Sequence, residues 1–401
     1  MDDFFTLPEG FLWGASTSAH QIEGSNTGSD WWAFEQAGLT DRIEEPSGDA
    51  CDSFHRWPED MDLLAGLGFT DYRFSIEWAR IEPSPGRFSS EAVAHYRRMV
   101  EGARERGLRP MVTLHHFTAP LWFTERGGWA APDSGDLFAR YVEAAAPVYG
   151  EGVDHICTIN EPNMVAVMAA ALRTLTAGGS LPATSLPLPD EAATEGLVRA
   201  HRRAVDTVKS YAPHVRTGWS VANQACRPEP GCEEQAAAYL HPRVSVFLEA
   251  ARGDDWLGLQ AYTRTRIGPS GPLPIPQDAE RTLTGWEYDP QALGAALRHT
   301  AATVPGTPLI VTENGIATAD DDRRIAYTTG ALADLAEAMA EGVDVQGYFH
   351  WSALDNYEWG SYRPTFGLIA VDRKTFVRTP KPSAAWLGAI GRTRVLPTAS
   401  S

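Results

Sequence analysis

Four cysteines in 401 residues, at positions 51, 157, 226 and 232, are too few and too dispersed for a disulfide framework. Cys226 and Cys232 flank Arg-Pro-Glu-Pro-Gly and have the spacing to bridge. A cytoplasmic location, the expected one, favours free thiols instead. No Cys/His grouping has zinc spacing, so no metal site is expected. Basic residues are also scarce: 34 Lys and Arg stand against 52 Asp and Glu, a net charge of −18. That balance argues against nucleic acid or an anionic membrane as partner. No apolar run is long enough to span a bilayer. The opening Met1-Asp2-Asp3-Phe4-Phe5 lacks the basic region and cleavage site of a signal peptide. There is no repeat at a solenoid period, no composition break that marks a linker, and no feature that specifies an oligomeric state.

What the chain has is apolar and aromatic: 43% hydrophobic residues, with 13 Trp, 12 Tyr and 15 Phe. Most of these belong in a core, but Trp and Tyr also offer flat faces and polar tips that suit sugar rings. Short apolar stretches at 11–15, 70–76, 110–116, 155–160, 216–222, 256–262, 308–313 and 345–351 read as strands. Between them, 57–66, 89–106, 136–149, 190–211, 233–251, 290–303, 322–341 and 383–390 carry helical periodicity. Eight strands alternating with eight helices predict an α/β fold, a single (β/α)8 TIM barrel over residues 1–391 with a fraying tail at 392–401. An open doubly wound sheet also alternates, but Phe11–Ser18 contains no G-x-G-x-x-G turn. Long connections are expected to overhang the C-terminal face. The stretch 172–189 is rich in Thr, Gly, Ser and Pro, and 268–276 reads as a stiff extended loop.

In such barrels chemistry collects at the C-terminal ends of the strands. Arg73 lies in the second predicted strand, and His116, Asn160-Glu161, Tyr262, Glu313 and Trp351 each lie at the end of theirs. Glu161 and Glu313 lead. Thr158-Ile159-Asn160-Glu161-Pro162 and Ile310-Val311-Thr312-Glu313-Asn314-Gly315 are both apolar runs that deliver a glutamate beside an asparagine and stop at Pro or Gly. A lone strand-end Glu is usually solvated or salt-bridged, but a repeated arrangement weakens that reading. Two carboxylates across one cavity suit glycosidic cleavage. A separation of about 5–5.5 Å makes the second a nucleophile, and a wider gap admits a water and inverts. The two need different proton affinities. Arg73 is placed to hold Glu313 ionised, and Tyr262 to add a hydrogen bond. His115 and His116 are strand neighbours that face opposite ways, so only one enters the barrel and no His-His metal pair is expected.

The motifs together resemble glycoside hydrolase family 1, the β-glucosidase and β-galactosidase family, along nearly the whole chain. The residues that carry the likeness are Phe11-Leu12-Trp13-Gly14-Ala15-Ser16-Thr17-Ser18-Ala19-His20-Gln21-Ile22-Glu23-Gly24, Tyr72 to Ile81, Thr113-Leu114-His115-His116-Phe117, Thr158 to Pro162, Thr312-Glu313-Asn314-Gly315 and His350 to Trp359. The resemblance implies a retaining β-glycosidase acting by double displacement on a small β-glycoside, without cofactor. It implies Glu161 as acid/base, Glu313 as nucleophile, and Arg73 and Tyr262 as the residues that orient Glu313. Gln21, His116, Asn160, Glu358 and Trp359 would bind hydroxyls of the sugar, Asn160 its 2-hydroxyl, with Trp351 under the ring and Phe366 near its 6-position.

The chain departs from the family where specificity is set. Gln260-Ala261-Tyr262 stands where Asn-Tyr-Tyr is usual, so Gln260 would meet the substrate with an amide one methylene further out. Phe117 replaces a usual Trp, the segment 359–366 is one residue short, and 172–189 lacks the usual Gly-Tyr and Pro-Gly pattern. Glu358 argues against the 6-phosphoglycosidase branch, because a carboxylate repels a phosphate dianion. Arg173, Arg264, Arg266 and Arg363 lie in loops placed to rim the mouth; each reads first as an ordinary solvated charge, and otherwise as favouring an anionic or polar aglycone. The altered loop and the space at Ala261 leave a transglycosidase as an alternative. A non-catalytic glycoside-binding barrel is a further one, disfavoured by the intact Glu161, Glu313 and Arg73.

Overall fold

The computed structural model describes residues 4–38, 43–181 and 185–397. Eight parallel strands close into a barrel: β1 (Leu12–Ser16), β2 (Asp71–Ser75), β3 (Arg109–Thr113), β4 (His155–Asn160), β5 (Arg216–Ala222), β6 (Leu257–Gln260), β7 (Leu309–Asn314) and β8 (Val345–Trp351). Each pairs with the next, and β8 returns to β1 with Gly347 opposite Leu12 and Trp351 opposite Ser16. Strands of such a barrel are covered on both faces, so they read as near-continuous apolar runs. Every residue of β2 and of β7 is buried.

Two cores follow. Inside the barrel, Leu12, Met111, Cys157, Trp256, Ile310 and Phe349 form a plug of their own. Arg73 rests on it, with Nη2 3.9 Å from Cys157 Sγ, so the plug is the floor of whatever lies above. Outside, the helices α1 (Ser53–Leu67), α2 (Ser90–Glu105), α3 (Ser134–Ala144), α4 (Glu191–Tyr211), α5 (Glu233–Leu240), α6 (Ala292–Thr303), α7 (Asp321–Ala340) and α8 (Pro382–Thr393) seal the outer face. In α4, Ala193, Leu197, Ala200, Ala204 and Val208 recur at helical spacing and are buried. A buried leucine such as Leu197 contributes about 1.5–3 kcal/mol. Asp190 caps α4 by accepting from the Ala193 N–H at 2.8 Å, a contact worth about 1 kcal/mol.

Several expected boundaries move. β3 stops at Thr113, and His116 reaches β4 through a separate bridge to Asn160. An extra helix, Pro162–Thr176, follows β4, so residues 172–176 are helical and the connecting loop begins later; residues 182–184 lie outside the described residues. The stretch 136–149 is two helices, broken at Ala145. The stretch 233–251 is also interrupted: a π segment covers His241–Ser245, and Pro242 there has no N–H to continue the α ladder. The segment 268–276 is not wholly irregular. Gly271–Pro272 pairs with Ile267–Gly268 in a small side sheet that includes Cys226–Pro228, with the proline on its edge. The tail does not fray from 392. α8 runs to Thr393, and Val395–Pro397 pairs antiparallel with Phe4–Thr6, while 398–401 lie outside the described residues. Cys226 and Cys232 are free, as are Cys51 and Cys157. Among the described residues no helix is long and apolar enough to cross a membrane.

Candidate active site

The cleft lies over the plug, at the C-terminal ends of the strands. β7 brings Glu313 to its rim, and two neighbours fix the backbone there. Asn314 donates to the Ala261 carbonyl at 2.7 Å and accepts from Tyr348 OH at 3.0 Å, tying β7 to both flanking strands. At Gly315 a Cβ would stand 2.0 Å from the Trp351 carbonyl oxygen, so glycine alone lets the chain pass the end of β8. Across the barrel, Glu161 leaves β4 in the left-handed region at φ 46°, a conformation that costs a non-glycine residue on the order of 1 kcal/mol or more. It is held by its N–H to the Ser220 carbonyl at 2.7 Å and by Val165 N–H to its own carbonyl at 3.0 Å. Pro162 then opens the helix.

The two carboxyl groups have different neighbours. Glu313 Oε1 accepts from Arg73 Nη1 at 2.6 Å and Oε2 from Tyr262 OH at 2.6 Å. Glu161, partly exposed at the mouth, makes no side-chain hydrogen bond to any described residue. Burial raises the pKa of both. For Glu313 the charge and hydrogen bonds of Arg73 and the Tyr262 hydroxyl pull the other way. For Glu161 the nearby Glu313 charge adds to burial and holds it well above the ordinary range, Arg73 opposing only through space. Of the two, Glu161 therefore holds its proton the more tightly.

The remaining expected residues gather around this pair. Asn160 Oδ1 accepts from Arg73 Nη2 at 2.5 Å, and its Nδ2 faces His116 Nε2 at 3.2 Å. His116 is stacked on Trp351 and Trp359, with centroids 5.7 and 6.2 Å away. Burial, then Arg73 and His115, hold its pKa well below the usual value, so its ring is neutral. His115 turns outward against Trp129 and Phe138. Glu358 accepts from Trp351 Nε1 at 3.2 Å and Gln21 Nε2 at 3.3 Å. Burial lifts its pKa to about 8, with the Glu313 charge adding to it against those hydrogen bonds. Phe366 packs with Trp351 and Tyr262. Gln260, expected to touch the sugar, is buried and spends its amide on Asn160 instead, at 2.7 Å.

The arginines expected at the rim are committed elsewhere. Arg173 pairs with Asp190, Arg264 and Arg266 each reach Glu287 at 2.6 Å, and Arg363 stands 3.6 Å from Glu44. An anionic aglycone thus gains no support from them. Among the described residues no three His, Cys, Asp or Glu side chains converge as metal ligands. A depression of about 930 Å³ lies elsewhere, lined in part by Asn26, Phe54, Arg80, His95 and Arg98. Its only carboxylate is Glu91, and Arg80 is held by Glu23 at 2.7 Å, so its size does not make it the reaction site.

Comparison with known proteins agrees with this geometry. The sequence matches the family described as glycosyl hydrolase family 1 over residues 4–250 and 261–395. The chain belongs to glycosyl hydrolase family 1. It is 32% identical to thermostable β-glucosidase B of Thermobispora bispora, over 95% of this chain and 89% of that protein. It is 30% identical to β-glucosidase A of Thermotoga maritima, over 95% and 96%. The solved structure of β-glycosidase BGL167 superposes with a TM-score of 0.87 at 44% identity, covering 97% of each chain. As a family 1 member the chain is a retaining β-glycosidase, and these relatives lend nothing to the transglycosidase or non-catalytic readings.

Two residues in the family 1 cleft escaped the sequence reading. Asn356 accepts from Gln21 Nε2 at 3.0 Å and helps fix its amide. It lay inside the matched motif, so its position was visible and its role was not. Trp286, 39% exposed, stands 5.6 Å from Tyr262 and 6.3 Å from Phe366 at the mouth. It sits in an irregular loop with no periodic signal to single it out.

Proposed function

We propose that this cleft hydrolyses a small β-glucoside, or a closely related β-glycoside, with Glu313 as nucleophile and Glu161 as acid/base. The observation that carries the assignment is the asymmetry of the two carboxyls: each oxygen of Glu313 holds one donor, Arg73 or Tyr262, and Glu161 holds none. In the first half-reaction Glu313 attacks the anomeric carbon, the bond to the aglycone oxygen breaks, and Glu161 gives that oxygen its proton. In the second, Glu161 takes a proton from water, whose oxygen displaces Glu313 and restores the β configuration. Gln21, Glu358, His116 and Asn160 supply polar contacts for the sugar, Trp351 and Trp359 its apolar faces, and Phe366 the wall beyond Tyr262. The relatives named β-glucosidase support glucose as the sugar. Four free thiols suit the cytoplasm, and the net charge of −18 suits a partner other than nucleic acid.

The test is covalent trapping. Incubation with a 2-deoxy-2-fluoro-β-glucoside bearing a good leaving group is expected to add one fluoroglycosyl mass to the peptide containing Glu313. Glu313→Gln is expected to lose turnover of an aryl β-glucoside by about 10⁵-fold or more, the scale of losing a nucleophile. A label on another residue, or wild-type turnover in Glu313→Gln, overturns the assignment.

A further inference from the structure

Gln260 ends β6, and residues 251–260 fall outside the family match. Its side chain is buried, with its N–H donated to Asn160 Oδ1 at 2.7 Å and its own Oε1 without a partner. The same Asn160 oxygen accepts from Arg73 Nη2 at 2.5 Å. A guanidinium has no acceptor, so Asn160 must turn its oxygen, not its nitrogen, toward Arg73. The Gln260 group that meets this oxygen must then be the amide nitrogen. The orientation of both amides follows from the chemistry of one arginine.

The other end of Asn160 is thereby fixed as a donor. One of its two N–H groups faces His116 Nε2 at 3.2 Å, and because an amide nitrogen only donates, that ring nitrogen must accept, which puts the His116 proton on Nδ1. The second is uncommitted among the described residues. Asn160 therefore meets a sugar hydroxyl as a donor only. An asparagine at position 260, one methylene shorter, would draw the amide back from a contact already at 2.7 Å.

We propose that Gln260 is a positioning residue for the hydroxyl beside the anomeric carbon. It acts through Asn160, giving that amide a second tether next to Arg73 so that its free N–H stays aimed at the 2-hydroxyl. Hydrogen bonds to that hydroxyl strengthen in the transition state of glycoside cleavage, so the tether works on the chemical step. This inference rests on the proposed function, with Glu313 as nucleophile and a β-glycoside as substrate.

The test pairs an aryl β-glucoside with its 2-deoxy counterpart. Gln260→Met, which keeps the length and removes the donor, is expected to lower kcat on the glucoside about tenfold, the scale of one hydrogen bond, with KM within about twofold. On the 2-deoxy substrate, which has no hydroxyl to position, the loss is expected to shrink below about twofold. Gln260→Leu serves as the second variant if Gln260→Met does not fold. Equal losses on both substrates make Gln260 a structural support only, and no loss on either makes it dispensable; each result overturns the proposal. Wild-type protein that turns over no aryl β-glycoside overturns the functional reading together with it, whereas wild-type turnover with equal losses removes the role of Gln260 alone.

Discussion

Glu161 and Glu313 are the same side chain at the ends of two strands of one barrel, and the protein treats them oppositely. At β7 the carboxyl is gripped at both oxygens, by Arg73 and by Tyr262. At β4 the carboxyl is left free, the residue sits in a left-handed turn, and a helix starts immediately after it. Burial pushes both toward the neutral acid, and only at Glu313 do direct hydrogen bonds push back. The proposed division of labour rests on these contacts: identical residue types are given different proton affinities by their neighbours alone.

The sharpest way to break the comparison is to delete the free partner. Glu161→Ala is expected to slow cleavage of alkyl or sugar aglycones by about 10²–10⁴-fold, the range of general acid catalysis. Dinitrophenyl glycosides, whose leaving group needs no proton, should lose far less in glycosylation. Rates across a leaving-group series check this; a uniform loss would mean that Glu161 does not protonate the aglycone.

Next comes the grip itself. Arg73→Met leaves Glu313 buried without its cation, a change on the scale of about 3–5 kcal/mol, or roughly 10²–10³·⁵-fold in kcat/KM. The sign of the pH effect follows. Removing the cation raises the pKa of Glu313, the ionised nucleophile persists only at higher pH, and the acid limb of kcat/KM shifts upward. A pH–rate profile with an unmoved acid limb would show that Arg73 does not govern that ionisation.

Smallest is Tyr262→Phe, which removes one hydrogen bond to a charged oxygen. Such bonds are worth about 1.5–3 kcal/mol, so kcat/KM should fall roughly 10- to 150-fold, and the acid limb should move in the same direction as for Arg73→Met but by less. A larger shift than that of Arg73→Met would reverse the ranking of the two contacts.

The barrel was legible because its strands are buried on both faces and its helices are amphipathic, two signals that survive without any alignment. The proposed catalytic pair stands out in the sequence because each glutamate sits between an apolar run and a breaker. Misreadings cluster where one residue has two meanings. Pro162 was read as a stop after β4, but proline at the first turn of a helix is also a start, and it opens Pro162–Thr176. Pro242 was read through, although a missing N–H cannot keep a regular α ladder. The arginines expected at the rim are not misread, since their pairs fit the ordinary-charge reading, but partners such as Glu287 for Arg264 are announced by no local pattern. Gln260 stands where the family resemblance places a substrate contact, and the hydrogen bond of its side chain to Asn160 has no signature in the sequence.

The pairing of Phe4–Thr6 with Val395–Pro397 has a practical side. The first segment leads into the bottom of β1 and the second follows α8, so both described ends of the chain meet under the barrel, on the face opposite the cleft. An enzyme anchored to a bead or joined to a partner through either of these segments would present its mouth outward. A short peptide bridging them would make a ring that can be reopened at an upper loop, giving a circularly permuted glycosidase with the same floor and the same pair of acids.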